Sequence, residues 1–516
     1  MEVEALWLIP ANWEWSKISS LGEVVAGGTP SSKEPKYWGG SVNWISPADL
    51  TGYNNKTISK GNKSITEEGL KNSSAKVMPA GSVHFSSRAP IGYAAISAEP
   101  LATNQGFKSL VPVQGILNEY VYYYLKASKQ LAEKRASGTT FLELSGKAFG
   151  LLPIPIPPLN EQKRIVAKIE ELFSELDNGI AALKNAREQL KVYRQAVLKH
   201  AFEGKLTAKW REENADKLES PEQLLARIQQ EREARYQQQL EEWEAAVKKW
   251  EEKGKEGKKP GKPKEFTKQG EIGAGAEIGF DIPDTWKSML LGHVFSVHVG
   301  ATPSRKKNEF WNGDIFWVSS GEVAFCEIYK TVETITEEGY ENASTEIHQE
   351  GTVLLAMIGE GKTRGQAAIL RAPAAHNQNT AAIRVSEVGL PPEYIYYFLQ
   401  YQYEQTRRVG SGNNQKALNK NRVASIQFPL CSTKEQMAVV QALSEKLSFV
   451  ENLDNELNIQ LAKAETLRQS ILKKAFSGQL VPQDPNDEPA SELLARIQAE
   501  REAIKTKSTK KTRKAK

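Results

Sequence analysis

The stretch that most resembles a catalytic motif is Ala356-Met357-Ile358-Gly359-Glu360-Gly361-Lys362-Thr363, which follows an apolar run and ends in Gly-Lys-Thr. A phosphate-cradling loop would need Gly at 356 and must lead straight into a helix whose N-terminus holds the phosphates. Here Arg364 to Leu370 reads as a second strand, so the stretch is expected to be a hairpin tip. An adenine methyltransferase would carry an Asn/Asp-Pro-Pro-aromatic tetrapeptide, and Pro391-Pro392-Glu393-Tyr394 lacks both the leading amide or acid and the adjacent aromatic. A nuclease built from Pro283-Asp284 and Glu360-Gly361-Lys362 would need an overlong separation. The six histidines show no metal-ligand spacing, so each is expected at the surface or in a core. Two cysteines, Cys326 and Cys431, cannot make a disulfide framework and fit a reducing compartment. No catalytic residue and no metal site are assigned.

What remains is the chemistry of recognition. Asn and Gln pair bidentately with adenine and Arg with guanine, which makes Arg88, Asn104, Gln105, Asn377, Gln378, Asn413, Asn414 and Gln415 the candidate base readers. Two loops are rich in small donors, as a loop approaching phosphates or base edges should be, though an ordinary solvent loop reads the same: Ser137-Gly138-Thr139-Thr140 with Lys147, and Ser411 to Lys416 with Lys420. Lys33 with Lys36, Arg305-Lys306-Lys307 and Arg407-Arg408 suit phosphate better than bases, and Lys362 and Arg364 on the hairpin tip are further candidates for contact. Trp38 with Trp44, and Trp311 with Trp317, could stack bases, but their recurrence at fixed spacing points to domain core.

These residues come in pairs because the chain repeats itself. Gly27-Gly28-Thr29-Pro30-Ser31 returns as Gly300-Ala301-Thr302-Pro303-Ser304, and Ile65-Thr66-Glu67-Glu68-Gly69 as Ile335-Thr336-Glu337-Glu338-Gly339. Asn104-Gln105 returns as Asn377-Gln378, and Glu161-Gln162 as Glu435-Gln436. The offset drifts between 270 and 274, as loop insertions would make it. Each copy begins with a mixed region of short strands, Gly/Pro/Asn turns and short helices, which reads as a compact α+β domain. The second part is helical: apolar residues from Ile165 through Leu190 to Ala201, and from Val439 through Leu457 to Ile471, keep 3-4 spacing in a stripe narrow enough for a two-stranded coiled coil. Pro153 to Pro158 delimits the first long helix, and Ser220-Pro221-Glu222-Gln223 opens another with a capping box. The expected order is domain one (1–157), helical spacer (158–252), Lys/Gly/Pro linker (253–278), domain two (279–430), second spacer (431–504) and a disordered basic tail (505–516).

Taken together, Pro-Ile-Pro-Pro-Leu-Asn-Glu-Gln at 155–162, Ala-Phe-Glu-Gly-Lys-Leu at 201–206 and their second copies resemble the specificity subunit of type I restriction-modification systems. The likeness implies an α+β fold with two homologous target-recognition domains separated by long helices. Those helices would pair as an antiparallel coiled coil with an internal pseudo-two-fold. It implies that each domain reads one half of a bipartite site in double-stranded DNA and that the helices fix the separation of the halves. Two methyltransferase subunits would dock on the helices, with Ala201, Phe202, Gly204, Ala475, Phe476 and Gly478 as contact residues, and restriction/translocase subunits would join through them. S-adenosylmethionine, ATP and Mg would be bound by those partners and none by this chain. The second copy departs from the motif at Pro429-Leu430-Cys431-Ser432-Thr433-Lys434, and the 214–275 segment exceeds a minimal spacer. Rival readings are a coiled-coil scaffold without DNA binding and a stand-alone restriction or modification enzyme.

Charge limits how such a chain would hold DNA. The formal +5 over 516 residues falls to −2 without Lys505 to Lys516, which carries seven Lys/Arg and no acid. Residues 1–157 hold 15 Lys/Arg against 12 Asp/Glu, and residues 281–431 hold 14 against 16. Polyanion contact must therefore be local. The N-terminus has no signal-peptide pattern, and no apolar run of about 18 residues occurs, so a cytoplasmic protein without a membrane partner is expected.

Overall fold

Short apolar runs broken by Gly, Pro and Asn become the strands of two similarly built domains. The computed structural model describes residues 6–138, 142–252, 254–255, 259–263, 278–359, 361–408 and 418–514. It divides into two units, Met1–Asn185 with Leu457–Lys516, and Ala186–Glu456. In the first, a five-stranded sheet runs Gly22–Ala26, Phe107–Pro112, Val83–Ser87, Ile91–Ser97, Thr57–Ile58, beside a three-stranded sheet of Lys63–Ile65, Trp38–Ile45 and Ala102–Thr103. The second unit repeats this order with Val297–Val299, Thr380–Ile383, Val353–Ala356, Ala367–Leu370 and Cys326–Ile328, beside Glu333–Ile335, Trp311–Val318 and Ala374–His376.

The proline stretch does more than delimit a helix. Pro153–Ile156 is a fully buried strand paired antiparallel with Glu14–Lys17, and Gln427–Leu430 pairs with Lys287–Leu290 in the same way. A two-stranded ribbon leaves an outer edge where proline's missing N–H costs nothing. The free carbonyls are taken by buried tyrosines: Tyr120 Oη donates to Pro155 O at 2.7 Å and Tyr394 Oη to Pro429 O at 2.8 Å.

The long helices run Leu159–Phe202 and Thr433–Phe476, each 44 residues. Within the first unit Asp177 pairs with Arg468, whose guanidinium lies 4.6 Å from the Phe173 ring. Within the second, Arg187 pairs with Asp454, and as one strand of the pair advances to Thr207 and Arg211 the other retreats to Glu435, so the pairing is antiparallel. Each helix ends in a left-handed glycine, Gly204 (φ +68°) and Gly478 (φ +73°). In both, the next residue's N–H reaches back, Lys205 to His200 O and Gln479 to Lys474 O at 2.9 Å. Only glycine takes this φ without strain. An added Cβ would also come within 2.4 Å of Pro283 or 2.2 Å of Pro10.

The segments that close the two domains are exchanged relative to the chain repeat. The helix end at Ala201-Phe202 and the following Leu224, Leu225 and Ile228 belong to the core of the second domain, where Phe202 packs 5.2 to 5.9 Å from the Phe398, Tyr394 and Tyr401 rings. The last segment of the chain closes the first domain: Phe476 packs on Tyr120 and Tyr124, Leu493 and Ile497 are buried there, and Arg501 donates to Ser19 O at 2.8 Å. One more expectation needs correcting. The C-terminal helix runs Ala490–Lys514, so the basic tail is helical through most of its length; after Ala490 no Gly or Pro breaks the helix. The expected linker 253–278 lies mostly outside the described residues, and Pro260 within it accepts a hydrogen bond from Trp243 Nε1 at 3.0 Å.

Candidate nucleic-acid interface

In each domain a strand end, an Asn-Gln turn and the segment leading to the long helix are tied together by the same two backbone hydrogen bonds. In the first domain Ser87 N donates to Gly106 O at 2.7 Å and Leu144 N to Ser87 O at 2.9 Å. In the second, Met357 N donates to Asn379 O at 2.8 Å and Leu418 N to Met357 O at 3.0 Å. These are repeat-equivalent positions, so the junction is a built feature of the domain.

Within the turns the two amide residues separate in role. Asn104 Oδ1 accepts from Gly106 N at 2.8 Å, and Asn377 Oδ1 from Asn379 N at 3.0 Å, so both asparagines brace their own turn; Asn377 is buried. Gln105 and Gln378 are exposed, and each accepts from the threonine of the other repeated loop, Thr29 and Thr302. That loop is held from beneath by tryptophan: Trp44 Nε1 donates to Gly28 O at 2.9 Å and Trp317 Nε1 to Ala301 O at 3.1 Å. Trp44 and Trp317 are buried, so these rings support the loop and are not free to stack on bases.

The charged candidates surround the junction unequally. Arg88 and Lys108 both lie 3.3 Å from the Glu143 carboxylate, and Lys108 also donates to Gln105 O at 3.1 Å. Lys108 was not legible from sequence, because a lysine inside the apolar strand Phe107–Pro112 gives no hint that its ammonium reaches the turn. Ser137 bridges Glu143 through both backbone hydrogen bonds. In the second domain Lys362 and Arg364 sit on the turn between antiparallel strands Val353–Ala356 and Ala367–Leu370, with no helix after Thr363 and hence no phosphate cradle. Tyr403 Oη holds Lys362 O at 2.6 Å, and Arg364 donates to Arg407 O at 2.9 Å. Arg305 lies 3.9 Å from the Trp311 ring and is held in a bidentate pair by Glu333, which partly neutralises it. Lys33, Lys147, Lys306 and Lys420 are exposed. Thr139, Thr140, Ser411, Asn413, Asn414, Gln415 and Lys416 lie outside the described residues.

The residues expected to contact a partner are otherwise engaged. Ala201, Phe202, Ala475 and Phe476 are buried in this chain's own cores, and Gly204 and Gly478 abut Pro283 and Pro10. Glu161-Gln162 and Glu435-Gln436 of the repeated motif are buried too. Gln162 donates to Pro157 O, and Gln436 to Cys431 O, at 3.1 and 2.8 Å. Glu435 takes donors from Arg211 at 2.7 Å and from Thr207 and Trp286, both at 2.9 Å. The histidines are also less scattered than their spacing suggested, since His298, His348 and His376 converge in the second domain. Among the described residues no group of His, Cys, Asp or Glu is placed to hold a metal ion, and no helix is long and apolar enough to cross a membrane.

The duplicated α+β domain thus presents matching polar turns and closes on paired long helices. The family model for the type I restriction modification DNA specificity domain matches residues 10–186 and 283–463, and the chain belongs to that family: it is a DNA-recognition component and not the catalytic one. It is 26% identical over 477 residues to the MjaIX specificity subunit of Methanocaldococcus jannaschii, covering 92% of this chain and 94% of that protein. To the EcoKI specificity subunit of Escherichia coli K12 it is 23% identical, covering 96% and 97%. The fold is also that of a solved chain from a study of type I R-M complex assembly (TM-score 0.63, 17% identity, 92% of this chain and all of that one). A second solved likeness is the HsdS subunit of Thermoanaerobacter tengcongensis (TM-score 0.50, 17% identity, 92% and 99%).

Proposed function

We propose that this chain chooses the DNA sequence for a type I restriction-modification complex by reading the two halves of a bipartite target, one with each α+β domain. The observation that carries this is the repeated junction, with its outward glutamine, Gln105 or Gln378, on a turn braced by asparagine. A glutamine can pair with an adenine edge in the major groove, and Arg88, Lys362 and Arg364 supply nearby cations for phosphate. The paired helices set the half-site separation, on the order of one turn or 34 Å for two contacts on one face of a duplex. They also dock two methyltransferase subunits, through which restriction/translocase subunits join. S-adenosylmethionine, ATP and Mg belong to those partners, and the assembly works in the cytoplasm. The near-balanced charge of both domains fits this division of labour, the partners contributing much of the sequence-independent grip.

The test is competition binding by the chain assembled with its methyltransferase subunits, on duplexes mutated in one half-site at a time. Loss of affinity for either mutated half is expected, and indifference to both overturns the reading. A scaffold without a DNA role would show no steep salt dependence. Methyl transfer by the purified chain alone would favour the stand-alone enzyme.

A further inference from the structure

Directly behind the outward turn of the second domain lies a buried chain of polar side chains that the first domain does not have. Arg384 Nε donates to His348 Nδ1 at 3.1 Å, His348 Nε2 faces His376 Nε2 at 3.1 Å, and His376 Nδ1 lies 2.6 Å from Thr380 Oγ1 and 3.1 Å from Asn377 O. Thr380 Oγ1 donates to Asn377 O at 3.0 Å, with Asn377 Oδ1 at 3.3 Å. His348, His376, Asn377 and Thr380 are all buried.

Proton counting gives this chain a single direction. A guanidinium N–H can only donate, so His348 Nδ1 carries no hydrogen and the neutral ring is protonated at Nε2. Only one proton fits between the two Nε2 atoms, so His376 accepts there and carries its own hydrogen on Nδ1. That hydrogen is donated to Thr380 Oγ1, and the hydroxyl in turn donates its own hydrogen bond to the Asn377 carbonyl. A second proton on either ring would set two N–H groups against each other. The surrounding charges agree with two neutral rings. Arg384 lies beside His348 and is paired with Glu346 and Glu387, Glu387 also meets Arg235, and Glu346 is shared with His298. Burial above all, with the nearby cations, pushes His348 down to about 2, and burial pushes His376 down to about 4.

The first domain has none of this wiring. Met78 bridges Leu101 as His348 bridges Ala374, and Thr103 ends its strand opposite Ile45 as His376 does opposite Val318. Val25 and Phe107 stand where the second domain has His298 and Thr380.

We propose that His348 and His376 are positioning residues for the second recognition turn: a neutral, one-way relay from Arg384 that fixes the Asn377–Thr380 backbone and so aims Gln378 at the DNA. The assignment rests on the reading of the turn as a DNA contact, and it makes recognition of one half-site depend on two histidines while the other half-site does not.

Two experiments test it. In the full chain labelled with 15N-histidine, long-range 1H–15N correlations should show His348 as the Nε2–H tautomer and His376 as the Nδ1–H tautomer. Both should be neutral and unchanged from pH 7.5 to about 5.5. An imidazolium or the reversed tautomers overturns the relay. In the complex with methyltransferase subunits, His348→Met, the first domain's residue, should reduce discrimination in the second half-site about tenfold and leave the first intact. Intact first-half discrimination also reports that the variant is folded. His348→Gln, whose amide can accept from Arg384 and donate to His376, should retain most of the discrimination. Unchanged discrimination in His348→Met, equal loss in both halves, or a glutamine variant as poor as methionine overturns the proposal. Wild-type complex that discriminates at neither half instead removes the DNA reading itself, and the relay's role with it.

Discussion

At the scale of single residues, Glu435 shows how much of the repeated motif is structural. Its carboxylate is buried and held by Arg211, Thr207 and Trp286. Removing the cation leaves a buried charge with only neutral donors, which costs about 3 to 5 kcal/mol. Arg211→Leu should lower the stability of the second unit by that order in urea denaturation followed by fluorescence. Acid acts on two histidines elsewhere in the same domain. His348, at about 2, and His376, at about 4, are held below the ordinary histidine value of 6.5. The unfolded chain therefore binds protons that the folded chain refuses, and stability is full above pH 6.5 and falls as the pH drops from there towards 4. Each such group contributes about 1.4 kcal/mol per pH unit in that window. The first domain has one such group, His84, pushed down to about 3 by burial. Its acid loss between pH 6 and 4.5 should be about half as steep as the second domain's, measured by hydrogen exchange in each.

At the scale of elements, the fate of the closing segments carries a testable asymmetry. The C-terminal helix Ala490–Lys514 packs Leu493 and Ile497 into the first domain, and Arg164 reaches Asp487 at 2.6 Å. Burying two such apolar side chains contributes on the order of 3 to 6 kcal/mol. Stopping the chain after Asp484 should therefore lower exchange protection in Val83–Ser87 and Phe107–Pro112, at the opposite end of the sequence. Strands Val353–Ala356 and Thr380–Ile383 should keep theirs. Equal loss in both sets of strands would contradict this pairing of segment and domain. The long helices were legible beforehand because a 3-4 apolar stripe is a local property of the sequence. The proline strands were not, because Pro153-Ile154-Pro155-Ile156 becomes a strand only where Glu14–Lys17 offers a partner and the outer edge needs no donors.

At the scale of the whole molecule, the chain leaves the first unit within one long helix and returns to it within the other, at 185/186 and 456/457. Each unit keeps its own core and its own copy of the recognition junction. Exchanging residues 281–430 for another family member's domain should therefore change one half of the recognised site and leave the other. Methylome sequencing of a host carrying the chimera with its methyltransferase and restriction partners reads this directly. A motif altered in both halves would contradict the modular arrangement.

The duplication, the alternation of α+β domains with long helices, and the polar character of the paired loops follow from the sequence alone, since repeats and periodicity need no knowledge of distant contacts. Tertiary structure decided which closing segment belongs to which domain, because the choice between Phe202 and Phe476 depends on which tyrosine cluster each can reach. It also separated neighbours of like chemistry: Asn104 and Asn377 turn inward to satisfy their own backbone, while Gln105 and Gln378 stay exposed. Last, it gathered His298, His348 and His376, far apart in the chain, from a strand of the five-stranded sheet, an isolated bridge and a strand of the three-stranded sheet. Buried polar groups must find partners, and only the folded chain determines which ones are within reach.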